Sequence, residues 1–258
     1  MGPLLHPGAL ALWLLCAAPA PCPPGDGGAG ACNDLALSYS AGRGVEKDEP
    51  KARALFERAC RARDADGCAN WGAYFQRGKG GLSRDDARAT ALFWRACDAG
   101  SATGCANLGF MLATGRGTPR DDARAVTLYR RSCELGSAVG CSNLGSRYDK
   151  GDGVEQDLPR ALALFRRACD AGSPTGCSNL GLKYELGQGV ARDLPAALSL
   201  YRRACDADSP LGCSNLGFAL FTGKAGPRDP AEGRRLLARG CQGGDEWGCA
   251  RLKELDRK

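Results

Sequence analysis

The stretch ACDAGSPTGCSNLG at residues 168–181 places Cys169 and Cys177 eight positions apart around a break made of Gly, Ser and Pro. The same spacing recurs five more times along the 258-residue chain. The other pairs are Cys60 with Cys68, Cys97 with Cys105, Cys133 with Cys141, Cys205 with Cys213, and Cys241 with Cys249. Their first cysteines lie 36 or 37 residues apart. A period of this length predicts an array of short repeats rather than one or two ordinary globular domains.

The cysteine content predicts disulfides. Fifteen cysteines are more than we expect of a protein whose thiols stay reduced and bind no metal. A metal site is not expected, because the only histidine is His6 and one cysteine pair supplies half of a zinc tetrahedron. We therefore predict that each of the six pairs is a structural disulfide, with no metal and no cofactor.

The N-terminus has the pattern of an export signal. The apolar core at Ala9–Cys16 is too short to span a bilayer and is followed by Ala-Pro-Ala and a Pro/Gly tract. We predict a signal peptide at residues 1–20, a Pro/Gly-rich segment at 21–31, and a secreted or periplasmic protein. A lipid anchor is disfavoured, because it needs a small residue before the cysteine and Leu15 and Pro21 stand there.

A seventh disulfide follows from counting. Removal of Cys16 with the signal leaves fourteen cysteines, of which six regular pairs use twelve. Cys32 lies 36 residues before Cys68 and so occupies the second-cysteine position of an incomplete repeat. Cys22 is its only remaining partner, which predicts a bridge between Cys22 and Cys32.

Each repeat contains two predicted helices. Apolar spacing predicts a first helix, helix A, from about Pro174 to Leu186, with Ser173 as its N-cap. A second helix, helix B, is predicted to follow the N-cap Asp193. On one unbroken helix, residues eight apart would be separated by about 12 Å, whereas a disulfide tolerates about 7 Å between Cα atoms. The chain must therefore reverse between the two cysteines, and the bridge joins the end of helix B to the next helix A.

One helical hairpin cannot bury its apolar face alone, so neighbouring hairpins must stack. The predicted fold is all-α, a right-handed α-solenoid of 36-residue helical hairpins stapled by disulfides. We predict six repeats over residues 32–247, with a first helix that begins near Cys32, and a capping helix over 248–258.

These residues resemble a known family. The segments CANLGFML, CSNLGSRY, CSNLGLKY and CSNLGFAL are similar to the first helix of tetratricopeptide repeats, with cysteine in place of Trp. The period, the G-x-G-V-x-x-D loops at 151–157 and 187–193, and the A-L-x-L-[FY]-R-R-A-C segments resemble Sel-one-like repeats. The eight-residue cysteine offset resembles the secreted cysteine-rich branch, the Hcp β-lactamase family. The resemblance implies a solenoid that binds penicillin-like and cell-wall-derived ligands, with slow β-lactam hydrolysis.

No known catalytic arrangement accompanies this resemblance. Ser-x-x-Lys, Ser-Asp-Asn and Lys-Thr-Gly, which serine β-lactamases need, are absent from the chain, as are clustered histidines. Whether the protein is an enzyme stays open at this stage, and β-lactam hydrolysis rests on the resemblance alone.

The concave face, which helix A lines in this family, is the predicted ligand site. One asparagine per repeat lies two residues after the helix A cysteine. These are Asn70, Asn107, Asn143, Asn179 and Asn215. Asparagine is a poor helix former, so a row of its amides suggests contacts to the backbone of an extended peptide. The alternative is that each amide satisfies backbone groups of a neighbouring loop.

Cations and apolar side chains share this face. The cations Arg77, Arg147, Lys150 and Lys183 lie at helical spacing from the asparagines, with Leu182 and Phe218 among their apolar neighbours. Nothing acidic at these offsets opposes them, which predicts a carboxylate-bearing ligand. The alternative for each cation is an ordinary solvated surface.

The favoured function is a monomeric binding module for a peptide, a protein or a peptidoglycan fragment, with β-lactams as a further ligand class. A net charge of +6 spread along the repeats, without a basic run, predicts no nucleic acid partner. The alternative is a weak β-lactamase that binds and hydrolyses penicillins. A remoter alternative is a mitochondrial intermembrane-space assembly factor.

Overall fold

A computed structural model of the chain describes residues 26–224 and 227–255. The elements in these ranges are thirteen α-helices in consecutive hairpins, as predicted for a solenoid. The first set, which we call the A helices, is α1 (Asp26–Ala41), α3 (Ala65–Arg77), α5 (Ala102–Thr114), α7 (Ala138–Lys150), α9 (Pro174–Leu186), α11 (Pro210–Thr222) and α13 (Glu246–Leu255). The B helices are α2 (Glu49–Arg61), α4 (Asp86–Asp98), α6 (Asp122–Glu134), α8 (Leu158–Asp170), α10 (Leu194–Asp206) and α12 (Pro230–Gln242).

Local sequence signals set the ends of these helices. The side chain of Ser173 accepts a hydrogen bond from the Gly176 backbone N–H at the start of α9. The helix ends at Gly187, which adopts the left-handed conformation at φ 68° that glycine tolerates without strain. Asp193 caps α10 in the same way. The bounds predicted for this repeat are confirmed.

Six disulfides join each B helix to the following A helix, and all six predicted regular pairs are confirmed. The bridges link Cys60 to Cys68, Cys97 to Cys105, Cys133 to Cys141, Cys169 to Cys177, Cys205 to Cys213, and Cys241 to Cys249. The Cα atoms of Cys169 and Cys177 are 4.5 Å apart, which requires the predicted chain reversal between them. Cys32 is also disulfide-bonded, and Cys22, its predicted partner, lies outside the described residues.

Two glycines in each central A helix allow the helices to approach closely. A Cβ atom at Gly181 would lie 2.7 Å from Tyr201 Cε1, in the B helix of the same hairpin. A Cβ at Gly176 would lie 2.6 Å from Ala168 Cβ, in the preceding B helix. Tyr201 and Ala168 are fully buried, so each A helix packs against both of its neighbours through these glycine positions.

The two sets of helices occupy different sides of the solenoid. Each A helix of the described ranges contacts the next A helix, whereas no two B helices in these ranges bring their Cα atoms within 8 Å of each other. The A helices are thus the more closely spaced set and line the inner, concave side. The B helices diverge on the outer side.

Two helix boundaries differ from the prediction. The first helix begins at Asp26, six residues before Cys32, because Ala29, Cys32 and Ala36 are buried and compensate for the poor helix propensity of its glycines. The last helix begins at Glu246 rather than at 248. The predicted signal peptide lies outside the described residues. None of the described helices has the combined length and apolar character of a membrane-spanning segment.

Candidate ligand-binding groove

The asparagine column lies on the concave side. Each of its five members, from Asn70 to Asn215, is half-buried in the middle of an A helix. The chain has only one other asparagine, Asn33, which lies in α1 next to the same column. Since asparagine is unfavourable within helices, its confinement to this one surface indicates a specific task for the amide.

The amides differ in what they contact. Asn70 Nδ2 donates a hydrogen bond of 2.8 Å to Asn33 Oδ1. In the described part of the chain, the side chains of the other four column members make no hydrogen bond. These are Asn107, Asn143, Asn179 and Asn215. The alternative in which each amide satisfies a neighbouring loop is therefore not observed for these four residues.

Two of the four predicted cations are ion-paired within the fold. Lys183 is only 6% exposed, and its Nζ lies 2.5 Å from Asp149 Oδ1 and 2.8 Å from Gln188 Oε1. Arg147 Nη1 lies 3.0 Å from Asp122 Oδ1 and 3.4 Å from an oxygen of Asp152. The expectation that nothing acidic opposes these cations is wrong. Asp122 and Asp149 lie on other helices than the cations they pair with, so spacing along one helix did not reveal them.

The other two cations remain available. Arg77 and Lys150 are exposed at the ends of α3 and α7, and neither makes an ion pair with another residue that the structure describes. The predicted cation set thus separates into two structural ion-pair members and two solvent-facing charges.

A hollow of about 310 Å³ opens at the C-terminal end of the column, between α9, α11 and α13. We call it the Asn215 pocket. Its lining combines the predicted Leu182, Asn215 and Phe218 with Leu211 and Trp247, which the sequence analysis did not assign. Phe218 and Trp247 meet edge to face with ring centroids 5.3 Å apart. Trp247 was missed because it belongs to the final helix, outside the repeat pattern.

The charged groups at this pocket neutralise each other. Lys224 is ion-paired with Glu185, and Glu185 Oε2 also accepts a hydrogen bond of 2.7 Å from the Tyr201 hydroxyl. Burial, followed by the hydrogen bond to Glu185, raises the pKa of Tyr201 well above its ordinary value, so the phenol stays neutral. The pocket therefore offers apolar walls and one unpaired amide, which suit a neutral side chain.

The groove shows no arrangement for nucleophilic catalysis among the described residues. Within them, no serine hydroxyl makes a hydrogen bond with a lysine ammonium, which is the pairing that serine β-lactamases use. β-Lactam hydrolysis stays a prediction from resemblance.

The chain matches a known repeat family. A model of the Sel1 repeat matches six consecutive segments of the chain. They are residues 29–64, 65–101, 102–137, 138–173, 174–209 and 210–245. A comparison with curated proteins finds no matching sequence.

Several solved structures are similar to this chain. The crystal structure of a Sel1 repeat protein from Oxalobacter formigenes is 26% identical with a TM-score of 0.73, and the match covers 83% of this chain and 87% of that one. The structure of c5321, a protective antigen of uropathogenic Escherichia coli with an SLR fold, is 26% identical with a TM-score of 0.64. That match covers 89% of this chain but 49% of the antigen, so the chain spans about half of its length.

Cysteine rich protein B of Helicobacter pylori is 28% identical over 52% of this chain and 96% of its own, with a TM-score of 0.43. Membership of the narrower cysteine-rich branch stays a prediction.

Proposed function

The chain belongs to the Sel1 repeat family, and we propose that it is an interaction scaffold that holds an extended peptide segment of a partner protein in its concave groove. The observation that carries this proposal is the set of four asparagine amides without a partner in the described structure, one in each of four consecutive A helices. Repeat solenoids commonly bind along such a concave surface.

The chemistry and spacing of the amides match an extended backbone. Each amide offers a donor and an acceptor, the same pair that a peptide unit presents. Packed helices lie about 8–10 Å apart, and an extended chain rises about 3.3 Å per residue. Each asparagine would therefore meet the peptide at about every third residue, without reading its side chains.

Side-chain selectivity comes from the Asn215 pocket. Apolar walls that include Phe218 and the partly exposed Trp247 can bury one aliphatic or aromatic side chain. Buried aromatic anchors of this kind supply most of the affinity in peptide and protein interfaces. We expect one apolar anchor residue towards the end of the bound peptide.

Charge recognition by this groove rests on Arg77 and Lys150, since the other predicted cations are used within the fold. A carboxylate on the peptide near α3 or α7 would pair with one of them at a solvent-exposed contact, which is worth at most about 1 kcal/mol. A carboxylate on the peptide therefore contributes little to the affinity. A peptidoglycan fragment is the alternative ligand that the test must separate from a protein segment.

The disulfides point to the compartment. Bonds of this number are typical of proteins that fold outside the reducing cytosol. On this ground we propose an exported, secreted or periplasmic setting, with the predicted N-terminal signal as the route.

The test is a selection of peptides on the oxidised protein from a random twelve-residue library, followed by fluorescence-polarisation titrations. We expect the Asn143→Ala/Asn179→Ala variant to weaken the selected peptides about tenfold or more. Asn70→Ala is the matched control, because its amide is already bonded to Asn33. Soluble muropeptides serve as competitors in the same titration.

Unchanged affinity in the Asn143→Ala/Asn179→Ala variant would contradict the proposal. If muropeptides bind and depend on the same asparagines while no selected peptide does, the ligand of the groove is a cell-wall fragment and not a protein segment.

A further inference from the structure

The outer side of the solenoid carries two hollows that the concave groove does not use. They lie one repeat apart, between α4 and α6 and between α6 and α8, with α5 and α7 as their floors. We call them the Trp94 hollow, of about 460 Å³, and the Tyr148 hollow, of about 340 Å³. Helix α6 forms one wall of each.

The Trp94 hollow is mostly apolar, although Arg124 and three threonines also line it. Its walls include Leu108, Leu112 and Leu128, and the indole of Trp94 stands beside them at 62% exposure. Trp94 is the most exposed of the large hydrophobic residues in the described ranges. The equivalent residues of the other B helices are Glu57, Arg130, Arg166, Arg202 and Ala238. The solenoid thus does not require an aromatic residue here, and an exposed indole next to an apolar hollow is typical of an interaction site.

The Tyr148 hollow is cationic. Arg130 Nη2 and Arg160 Nη1 both donate to the Tyr148 hydroxyl, at 3.3 and 3.2 Å, and the Arg160 guanidinium lies 5.0 Å from the centre of its ring. Arg167 also lines the hollow, and its Nη2 donates a hydrogen bond of 2.8 Å to the Cys133 backbone oxygen. Glu134 is the single carboxylate among the lining residues. Most of the five N–H donors of each guanidinium are left for a ligand.

The field at this hollow is positive. Burial raises the pKa of Tyr148, but the hydrogen bonds from Arg130 and then Arg160 outweigh it, so its pKa lies below the ordinary value. Arg160 also faces Asp157 across 3.8 Å, a loose and exposed contact. Three guanidiniums against the carboxylates of Glu134 and Asp157 leave an excess of positive charge that complements an acidic ligand.

We propose that the two hollows form one docking site, separate from the concave groove, for an acidic segment of a partner protein that carries an apolar side chain. The apolar side chain packs on Trp94, and a carboxylate enters the Tyr148 hollow. The B helices that border the two hollows diverge on this side, so the hollows lie farther apart than the roughly 8–10 Å that separates packed helices. Since an extended chain rises about 3.3 Å per residue, the apolar and acidic residues are at least about three positions apart.

The test selects peptides from the random twelve-residue library for binding to the full oxidised chain. The affinity of each selected peptide is then measured for the wild-type protein and for the variants, and the peptides are grouped by the variants that weaken them. We expect one class to combine an apolar residue with Asp or Glu at least about three positions away. Its affinity should fall about tenfold in Trp94→Ser and in Arg130→Gln/Arg160→Gln, and should weaken with added salt. Arg166→Gln/Arg202→Gln is the matched control, because it removes two exposed charges at positions equivalent to Arg130.

All the altered side chains are exposed, and circular dichroism checks that each variant keeps its helix content. Peptides of the concave groove remain distinguishable, because they depend on Asn143 and Asn179 and not on Trp94. The proposal is overturned if no selected peptide loses affinity in the Trp94 and arginine variants, or if the control variant loses as much. Sedimentation provides a second test. If the free chain dimerises and Trp94→Ser abolishes the dimer, the hollows bind a second copy of the chain, and the proposal is also overturned.

Discussion

Replacement of Gly176 by alanine tests whether close helix contact holds neighbouring repeats together. The new Cβ would lie 2.6 Å from Ala168 Cβ and 2.9 Å from the Cys169 backbone nitrogen. Carbon atoms in contact are normally about 3.5–4.0 Å apart, so the overlap is near 1 Å against atoms that no rotamer change can move. We assign it about 3 kcal/mol, the upper part of the range for overpacking. Alanine in place of glycine returns about 1 kcal/mol of helix propensity, which leaves a net destabilisation of about 2 kcal/mol.

Gly30→Ala is the matched control, because a Cβ at this helical position meets no atom within 4 Å. It should keep the propensity gain and stabilise the protein by about 1 kcal/mol. The assay is urea unfolding of the oxidised proteins followed by circular dichroism. The free energies of unfolding of the two variants should differ by about 3 kcal/mol. A difference below about 0.5 kcal/mol, which is the ordinary scale of surface substitutions, would refute the reasoning.

Four further outcomes follow from the fold. Cys169→Ser/Cys177→Ser should lower the unfolding free energy by about 2.6 kcal/mol, the loop-entropy value for nine residues; no loss in urea unfolding would show that the bridge does not stabilise the fold. Hydrogen bonds from Arg84 and Arg116 lower the pKa of Asp86 to about 2. The contribution of Asp86 to the free energy of unfolding should therefore be present above pH 3.8 and disappear as the pH falls towards 2. Asp86→Asn should remove this pH dependence from acid unfolding curves. Burial and a carboxylate raise the pKa of Tyr74 to about 12, so stability should fall as the pH rises above 10 towards 12. Tyr148, whose pKa is lowered, should ionise at a lower pH than Tyr74, and Tyr148→Phe should remove an early phase of tyrosinate absorbance.

The repeat architecture was predictable because its signals are local. The cysteine spacing, the Ser and Asp caps and the Gly187 terminus act within a few residues, and the helix predicted from Pro174 to Leu186 has these bounds in the structure. The start of α1 was not predictable in this way. Its Gly-rich first turns have low intrinsic helix propensity, and burial of Ala29 and Ala36 outweighs it.

The candidate site was predictable only in part. The repeat spacing predicts the asparagine column, but it does not predict that four of the amides lack a hydrogen-bond partner in the described part of the chain. The ion pair between Lys183 and Asp149 joins two A helices of neighbouring repeats, so neither helix shows it alone. Trp247 enters the Asn215 pocket from the last helix, where the repeat pattern gives no position to compare. Contacts between repeats are thus the part that spacing does not encode.

The central claim is that the unpaired asparagine amides bind the peptide backbone. The most direct test is nuclear magnetic resonance of protein labelled with ¹⁵N in the asparagine side chains, because the chain has only six asparagines. On titration with a selected concave-groove peptide, we expect the amide signals of Asn107, Asn143, Asn179 and Asn215 to shift together. The signals of Asn33 and Asn70, which bond each other, should stay in place. Saturable binding that leaves the four signals unmoved would contradict the account.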